Sequence, residues 1–349
     1  MLSYELGRKI EPKAGHDRVT QSAHFDTLPD FPLAVVQRWE ACDSVKCQSA
    51  AFRADQSESY DIGTMESSIG MARYIEAVGR TKAYIRAGDI YQANIAHHLS
   101  GSFSGNARMC FEDLRKSAHP KYGSMMIFDH DGLRHAVLSI SPELFVEFDP
   151  ESRTIRTEPM KGTRPIGADE AELRDSTKDR AELDMITDLM RNDLGRVCEL
   201  GSVRVIDPRR IESHQSGVLQ ASAVIEGKLV EGADFIDIVK ATFPPGSVTG
   251  APKVRAMQVI DELENRPRDS YCGAMIVLDD IGSIKGSVSI RTAHIWGEID
   301  PDAPYSIKNG HFEYPVGAGV VADSDPESEW AETLIKAEVL RSALGVEIL

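Results

Sequence analysis

The sequence lacks a long hydrophobic run, so we expect neither a membrane-spanning helix nor a secretory signal. It is also poor in positive charge: 39 Lys and Arg residues against 55 Asp and Glu residues give a formal net charge of −16. Nucleic-acid binding depends on neutralising phosphates with Lys and Arg, so this acidity argues against a nucleic-acid partner. An anionic small substrate remains compatible, because a local basic cluster can lie inside an acidic exterior.

Cysteine is scarce and scattered. The five cysteines form no CxxC pair, so we expect no disulfide framework and no zinc site. Together with the absence of a secretory signal, this predicts a reducing, cytoplasmic compartment. The glycine-rich run GSVTGAPK lacks the GxxxxGK[ST] order, which excludes a nucleoside-triphosphate loop of that kind.

The pattern of short β-branched runs predicts the fold class. Strands outnumber helices and do not alternate with them regularly, which favours an α+β sandwich of mixed β-sheets covered by helices over a doubly wound fold. Residues 1–60 are weakly patterned and form a short N-terminal portion, either packed on the main body or a partly mobile arm, before a catalytic domain that we expect over residues 61–349. Apolar periodicity predicts helices from Glu66 to Gly88, Thr177 to Asn192, Lys253 to Glu264 and Ser328 to Leu344.

The segment TEPMKGTRP places a lysine immediately before a glycine. Gly162 allows a sharp turn that leaves Lys161 pointing into a cavity, a geometry that suits a nucleophile. A surface lysine in a turn is the alternative that this segment alone leaves open.

Two helical segments each carry a pair of carboxylates at a spacing of three residues. Asp179 and Glu182 form the first pair, and Glu329 and Glu332 form the second. Residues at this spacing project from one side of a helix, so the two pairs could converge on a divalent cation that takes oxygen ligands. Solvated helix faces with a capping role are the alternative.

Two glycine-rich stretches and one arginine suggest a site for carboxylates. Gly246 and Gly250 precede a predicted helix whose first amides could receive an anion, and Gly317 and Gly319 could bring backbone N–H groups against a second carboxylate. Either stretch could instead be a tight packing turn. Arg291 lies in a predicted strand from Ser287 to His294, where its planar group could bind a carboxylate or form an internal salt bridge.

Taken in order along the chain, several strings resemble the chorismate-utilising enzyme family from about residue 65 to residue 345. They are GDIYQAN, SPELF, PMKGTRP, KDRAELDMITDLMRNDLGRV, HQSG, PPGSVTGAPK, SIRTA and GAGVVADSDPESEWAET. Gln92 stands where the water-using members carry a lysine, which resembles the ammonia-using branch. Lys161 in PMKGTRP resembles aminodeoxychorismate synthase component I, whereas anthranilate synthases typically have alanine there.

The resemblance implies a chemistry and a set of residues. Lys161 would attack C2 of chorismate as the C4 hydroxyl leaves, Glu143 would protonate that hydroxyl, and ammonia would then enter at C4 and expel the lysine. A glutamine amidotransferase subunit would supply the ammonia. The implied site comprises the catalytic residues Lys161, Glu143, Gln92 and His214, the substrate-binding residues Thr249, Gly250, Arg291, Gly317, Ala318, Gly319 and Lys336, and the Mg²⁺ ligands Asp179, Glu182, Glu329 and Glu332.

Two other functions stay open at this point. Anthranilate synthase component I would require Lys161 to be a bystander. A catalytically silent subunit that binds an amidotransferase would have no chemical need for Lys161, Glu143 and both acidic pairs. We expect no fused glutaminase, because no cysteine lies in a GxCxG turn, and no tryptophan feedback segment is visible before Glu66.

Overall fold

The computed structural model of the chain describes residues 1–11, 13, 31–38, 59–165, 169–214 and 218–349. Two β-sheets dominate this part of the chain, and helices pack against both. The α+β class is therefore confirmed. Every strand ladder in the described ranges is antiparallel, whereas the sequence predicted sheets with both parallel and antiparallel strands.

The first sheet has eight strands, of which two are much longer than the others. β3 (Gln92–Asn106) and β15 (Ser306–Val320) pair along most of their length, with Asn94 opposite Gly319. The remaining strands are β1 (Tyr60–Ile62), β2 (Glu66–Ser67), β4 (Tyr122–His130), β5 (Leu133–Ser141), β11 (Gly250–Ala251) and β14 (Thr292–Ile299). The order is β1-β3-β15-β14-β5-β4, and β2 and β11 also pair with β3.

The second sheet has seven strands and carries the candidate lysine. Its strands are β6 (Leu144–Asp149), β7 (Thr154–Glu158), β8 (Met160–Pro165), β9 (Arg204–His214), β10 (Val218–Lys228), β12 (Ala274–Leu278) and β13 (Ile284–Val288). The order is β12-β13-β6-β7-β10-β8, with β9 paired to the other edge of β10. β7 and β8 follow one another along a single edge of β10, which places Lys161 opposite Ala221.

The helices of the described ranges begin mostly at side-chain caps. Asn106 accepts hydrogen bonds at the start of the helix Ala107–Ala118, and Ser176 and Asp325 cap the helices Thr177–Gly195 and Pro326–Lys336. Asp234 forms a capping box with Asp237 at the helix Phe235–Thr242. The helices are α1 (Glu5–Ile10), α2 (Gly70–Arg86), α3 (Ala107–Ala118), α4 (Glu170–Asp175), α5 (Thr177–Gly195), α6 (Phe235–Thr242), α7 (Lys253–Glu264), α8 (Pro326–Lys336) and α9 (Glu338–Leu344).

The largest apolar cluster joins the two sheets. Ala96 of β3 lies in the same cluster as Phe145 of β6 and Ile225 of β10, and α5 and α6 contribute Ile186 and Ile238. α5 runs across β8, β9 and β10, so its N-terminal turns reach the strand that carries Lys161. The candidate site accordingly lies where β3 and β15 of one sheet approach β8 of the other.

The first residues of the chain pack on this core. Leu2 forms a bridge with Ala274 through reciprocal backbone hydrogen bonds of 2.8 and 2.9 Å, and Tyr4 is fully buried. Most of the residues between Glu11 and Ser59 lie outside the described ranges. The division of the chain at residue 60 therefore stays a prediction.

Several predicted boundaries are wrong. The helix expected from Glu66 begins at Gly70, because Glu66 and Ser67 pair with β3 instead. The helix expected from Ser328 to Leu344 is two helices that part at Ala337. The strand expected from Ser287 to His294 is interrupted at residues 289–291, where the chain crosses from the seven-stranded sheet to the eight-stranded one.

Candidate active site

Lys161 projects from β8 toward α5. Its side chain is 17% exposed, and its Nζ lies 3.7 Å from Glu182 Oε2. Gly162 has φ +80°, and a Cβ at this position would come within 2.7 Å of Leu173 Cδ1 and 3.1 Å of Asp179 Cγ. Glycine is therefore favoured here both by the backbone angle and by the close approach of α4 and α5. The sharp turn predicted at Gly162 is not formed, because Gly162 lies inside β8 at a register shift in its pairing with β10.

Gln92 and Gly319 meet Lys161 from the other sheet. A Cβ added to Gly319 would lie 2.8 Å from Lys161 Nζ and 2.8 Å from Gln92 Nε2, so both side chains end beside the same point of β15. Gln92 is fully buried, and neither its Nε2 nor its Oε1 has a hydrogen-bond partner among the described residues. A buried amide without hydrogen-bond partners is unfavourable by about 1–3 kcal/mol. Such an unpaired group is typical of a site whose hydrogen bonds are completed by a bound ligand.

Glu143 lies between β5 and β6 and is 5% exposed. Burial raises the pKa of its carboxyl to about 7, while a hydrogen bond from Ser247 and the charge of Lys161 oppose that rise. Ser247 Oγ donates this hydrogen bond to Glu143 Oε1. A carboxyl with a pKa near neutrality can hold a proton and release it at physiological pH, as a general acid must.

Ser247 was not singled out from the sequence. It belongs to a 3₁₀ turn, Gly246–Val248, inside the run PPGSVTGAPK, and that run was the available signal. Thr249 follows the turn and is fully buried, with its hydroxyl donating to the carbonyl of Gly246 at 3.2 Å. The Thr249 hydroxyl thus already serves the loop's own backbone.

The same loop is fixed to β3. Thr249 O accepts a hydrogen bond of 2.9 Å from Asn94 N, and Gly250 pairs with Ala93. Gly250 has φ +145°, and a Cβ there would come within 2.1 Å of Gln92 O, so no other residue fits. The predicted substrate-binding pair of Thr249 and Gly250 is therefore brought next to Gln92.

The glycines of β15 lie inside the strand rather than at a turn. Gly317 and Ala318 are buried and paired with β3, and a Cβ at Gly317 would come within 2.8 Å of Ile95 O. Gly317 is therefore packed closely against β3, whereas Gly319 faces Lys161. Their predicted contact with a carboxylate stays a prediction. The ladder between β14 and β15 ends at Glu313, so β14 does not cover the edge of β15 at these glycines.

Two basic side chains lie near this part of β15. Lys336 Nζ donates to Gly317 O at 2.7 Å and also pairs with Glu332 at 2.7 Å. The prediction that Arg291 lies in a strand is wrong. Arg291 has φ +49° and belongs to the crossing between β13 and β14. Burial raises the pKa of the Tyr314 hydroxyl, and the charge of Arg291 opposes the rise.

The two acidic pairs lie on α5 and α8 as predicted. Glu329 is buried, and burial together with the charges of Glu329 and Glu332 raises the pKa of the Tyr74 hydroxyl. Glu182 pairs with Lys161, and Glu332 pairs with Lys336. Within the ranges given above, no three His, Cys, Asp or Glu side chains are gathered as metal ligands. The Mg²⁺ assignment therefore stays a prediction.

His214 is the last residue of β9, and its backbone pairs with Val218. Its side chain lies outside the described part of the structure, so its predicted place beside the substrate ring stays a prediction.

No helix of the described residues is both long enough and apolar enough to cross a membrane.

A lysine, a carboxyl of raised pKa and an unpaired amide that converge between two sheets define the site of an enzyme rather than a structural module. The sequence matches the chorismate binding enzyme family over residues 10–342, and the chain belongs to that family. It is therefore an enzyme that acts on chorismate.

Curated relatives fall in two branches of the family. The chain is 36% identical over an alignment of 359 positions to aminodeoxychorismate synthase component 1 of Klebsiella aerogenes, covering 96% of this chain and 74% of the relative. It is 38% identical over an alignment of 280 positions to anthranilate synthase component 1 of Streptomyces coelicolor, covering 78% of this chain and 51% of the relative. Identity alone does not separate the two branches.

Solved structures agree on the fold. Anthranilate synthase component I of Streptococcus pneumoniae superposes with a TM-score of 0.67 at 27% identity, covering 84% of this chain and 63% of that one. The menaquinone-specific isochorismate synthase of Escherichia coli gives a TM-score of 0.67 at 19% identity, covering 86% of this chain and 68% of that one. The latter likeness concerns the fold alone.

Proposed function

We propose that the chain is the chorismate-aminating component of an aminodeoxychorismate synthase, which converts chorismate and ammonia to 4-amino-4-deoxychorismate for folate synthesis. The observation that carries this proposal is the position of Lys161, whose Nζ ends beside Gly319 and the unpaired amide of Gln92. A lysine that only paired with Glu182 would not need to reach into that space.

The chemistry follows from the two central side chains. The neutral amine of Lys161 adds to C2 of chorismate, the ring double bonds shift, and the C4 hydroxyl leaves as water with the proton of Glu143. Ammonia then adds at C4, the double bonds shift back, and the Lys161 amine leaves from C2. Glu182 Oε2, 3.7 Å from Lys161 Nζ, orients the amine of the lysine.

The remaining predicted residues would hold the substrate. Arg291 and the open edge of β15 at Gly317 and Gly319 would bind one carboxylate, while Gln92 would supply its amide to the bound ligand or to ammonia. Asp179, Glu182, Glu329 and Glu332 offer the oxygen donors that Mg²⁺ prefers, with Asp179 acting through water. When bound, Mg²⁺ would neutralise the ring carboxylate of chorismate and draw charge from the reacting ring.

A glutamine amidotransferase subunit would supply ammonia. The names of the relatives, which are called component 1 of their synthases, support a partner subunit. The scarcity and burial of the described cysteines suits a cytoplasmic enzyme.

The test is to incubate the purified chain with chorismate, Mg²⁺ and ammonium at alkaline pH and to identify the products by mass and NMR. We expect 4-amino-4-deoxychorismate. Lys161→Ala should abolish or divert amination at C4, and intact-protein mass spectrometry of the wild type should reveal an adduct on Lys161. Lys285→Ala, at an exposed ion pair with Glu147, is the matched control and should keep full activity. Unchanged C4 amination by Lys161→Ala would refute the covalent mechanism.

Anthranilate synthase component 1 is the second candidate, because the Streptomyces coelicolor relative is as similar as the Klebsiella aerogenes one. Anthranilate as the sole product would establish it and would make Lys161 a bystander. No consumption of chorismate, with or without an added amidotransferase, would indicate a silent subunit.

A further inference from the structure

Arg268 is a fully buried cation at a point where three segments meet. Its guanidinium donates to Glu264 through Nε at 2.8 Å and Nη2 at 2.5 Å. It also donates to two backbone carbonyls, Val248 O at 3.0 Å and Asn94 O at 2.6 Å. Glu264 in turn accepts a hydrogen bond of 2.8 Å from Ala96 N. One ion pair therefore ties the end of α7 to β3 and to the turn Gly246–Val248.

The N-terminal segment closes over this arginine. The ring of Tyr4 is fully buried and lies 4.7 Å from the centre of the guanidinium, and Glu5 Oε1 accepts a hydrogen bond of 2.9 Å from Arg268 N. Tyr4 Oη has no hydrogen-bond partner among the described residues, so the ring face rather than the hydroxyl is what this tyrosine contributes. We call Tyr4, Glu5, Glu264 and Arg268 the Arg268 clamp.

We propose that the Arg268 clamp is a positioning device for the general acid, and that Tyr4 of the N-terminal segment acts in catalysis through it. Arg268 holds the carbonyl of Val248, the residue next to Ser247, and Ser247 donates to Glu143. Through Asn94 it also holds β3 two residues from Gln92. The inference rests on the proposed role of Glu143 as the acid for the leaving hydroxyl.

The clamp can position the general acid because several hydrogen-bond acceptors depend on the planar guanidinium of Arg268. An arginine with both edges occupied fixes the direction of each acceptor, and an aromatic face above it prevents the plane from tilting. When the ring is removed, water or an empty space replaces it, and the guanidinium can turn away from Val248. The turn Gly246–Val248 then loses a fixed carbonyl, and Ser247 no longer stays within hydrogen-bond distance of Glu143.

The experiment compares Tyr4→Leu with Tyr4→Phe in the full chain, at a temperature well below the unfolding midpoint of each variant. Chorismate consumption is followed as a function of pH, whatever product forms. Because the Ser247 hydrogen bond lowers the pKa of Glu143, its loss should move the basic limb of the kcat profile upward by about half a pH unit or more, with kcat reduced about tenfold. Tyr4→Phe keeps the ring and should match the wild type.

A second readout needs no turnover. Infrared difference spectra of the protein without substrate, with Glu143→Gln as the reference, report the titration of the Glu143 carboxyl directly. An upward shift in Tyr4→Leu supports the clamp even if the product proves to be anthranilate. If Tyr4→Leu is less stable but leaves both the pH profile and this titration unchanged, Tyr4 is merely structural and the inference is wrong. Arg268→Lys, if it folds, should shift both readouts further.

Discussion

Glu143→Gln should make the protein more stable at neutral and alkaline pH while removing its activity. The pKa of the Glu143 carboxyl is raised by burial from 4.5 to about 7. Between these values the folded chain holds the proton and the unfolded chain releases it, so the free energy of unfolding of the wild type falls as pH rises. At about 1.4 kcal/mol for each pKa unit, the wild type loses about 3 kcal/mol relative to the neutral glutamine variant.

The measurement is denaturant unfolding of both proteins at a series of pH values from 4.5 to 8. The difference in free energy of unfolding should grow with pH in favour of Glu143→Gln and level off above pH 7. Glu147→Gln is the control, since Glu147 is exposed and pairs with Lys285 at 2.9 Å; it should stay within about 0.5 kcal/mol of wild type at every pH. A pH-independent difference for Glu143→Gln would show that this carboxyl is ionised in the folded state.

Two further variants test the site. Gly319→Ala would place a methyl group 2.8 Å from the ends of Gln92 and Lys161, which are movable, so we expect chorismate turnover to fall about 100-fold with stability changed by less than about 1 kcal/mol. Gly79→Ala is the control, because a Cβ at Gly79 would meet no atom within 4 Å outside the backbone of its own helix. Equal activity of Gly319→Ala and Gly79→Ala would contradict the assigned geometry. Glu329→Gln should raise the Mg²⁺ concentration needed for chorismate binding in calorimetry; an unaltered Mg²⁺ dependence would remove Glu329 from the ligand set.

Two of the helices are predicted closely from the sequence, and the long strands are predicted poorly. The helix at Lys253–Glu264 has the predicted bounds, because its apolar spacing is unbroken and an αL residue, Asn265, ends it. The sequence pattern does not predict β3 or β15 as long strands, although they are the longest strands of the described residues. The first eight residues of β3 are all buried, so its two faces show no alternation, and histidine, serine and glycine interrupt its apolar residues.

The site residues were predicted from motifs, and their arrangement could not be. Lys161 and Gln92 are 69 positions apart in the sequence and belong to different sheets, so no local pattern shows that they end beside Gly319. The β-branched neighbours of Arg291 predict a strand. In the structure, the chain crosses from one sheet to the other at this point, and Arg291 has a positive φ there. Ser247 and Arg268 carry no periodic signal and become visible only through their hydrogen bonds.

The arrangement also explains why glycine occupies so many positions around Lys161. Gly162 and Gly250 have backbone angles that other residues rarely adopt, and at both positions a side chain would strike the neighbouring element. A Cβ at Gly317 would meet the backbone of β3, whereas a Cβ at Gly319 would meet first the ends of Lys161 and Gln92. Gly162 therefore lets α4 and α5 approach β8, and Gly250 and Gly317 let β11 and β15 pack closely on β3. Gly319 keeps open the space into which the lysine points, and that space is where a ring substrate must lie if Lys161 is the nucleophile.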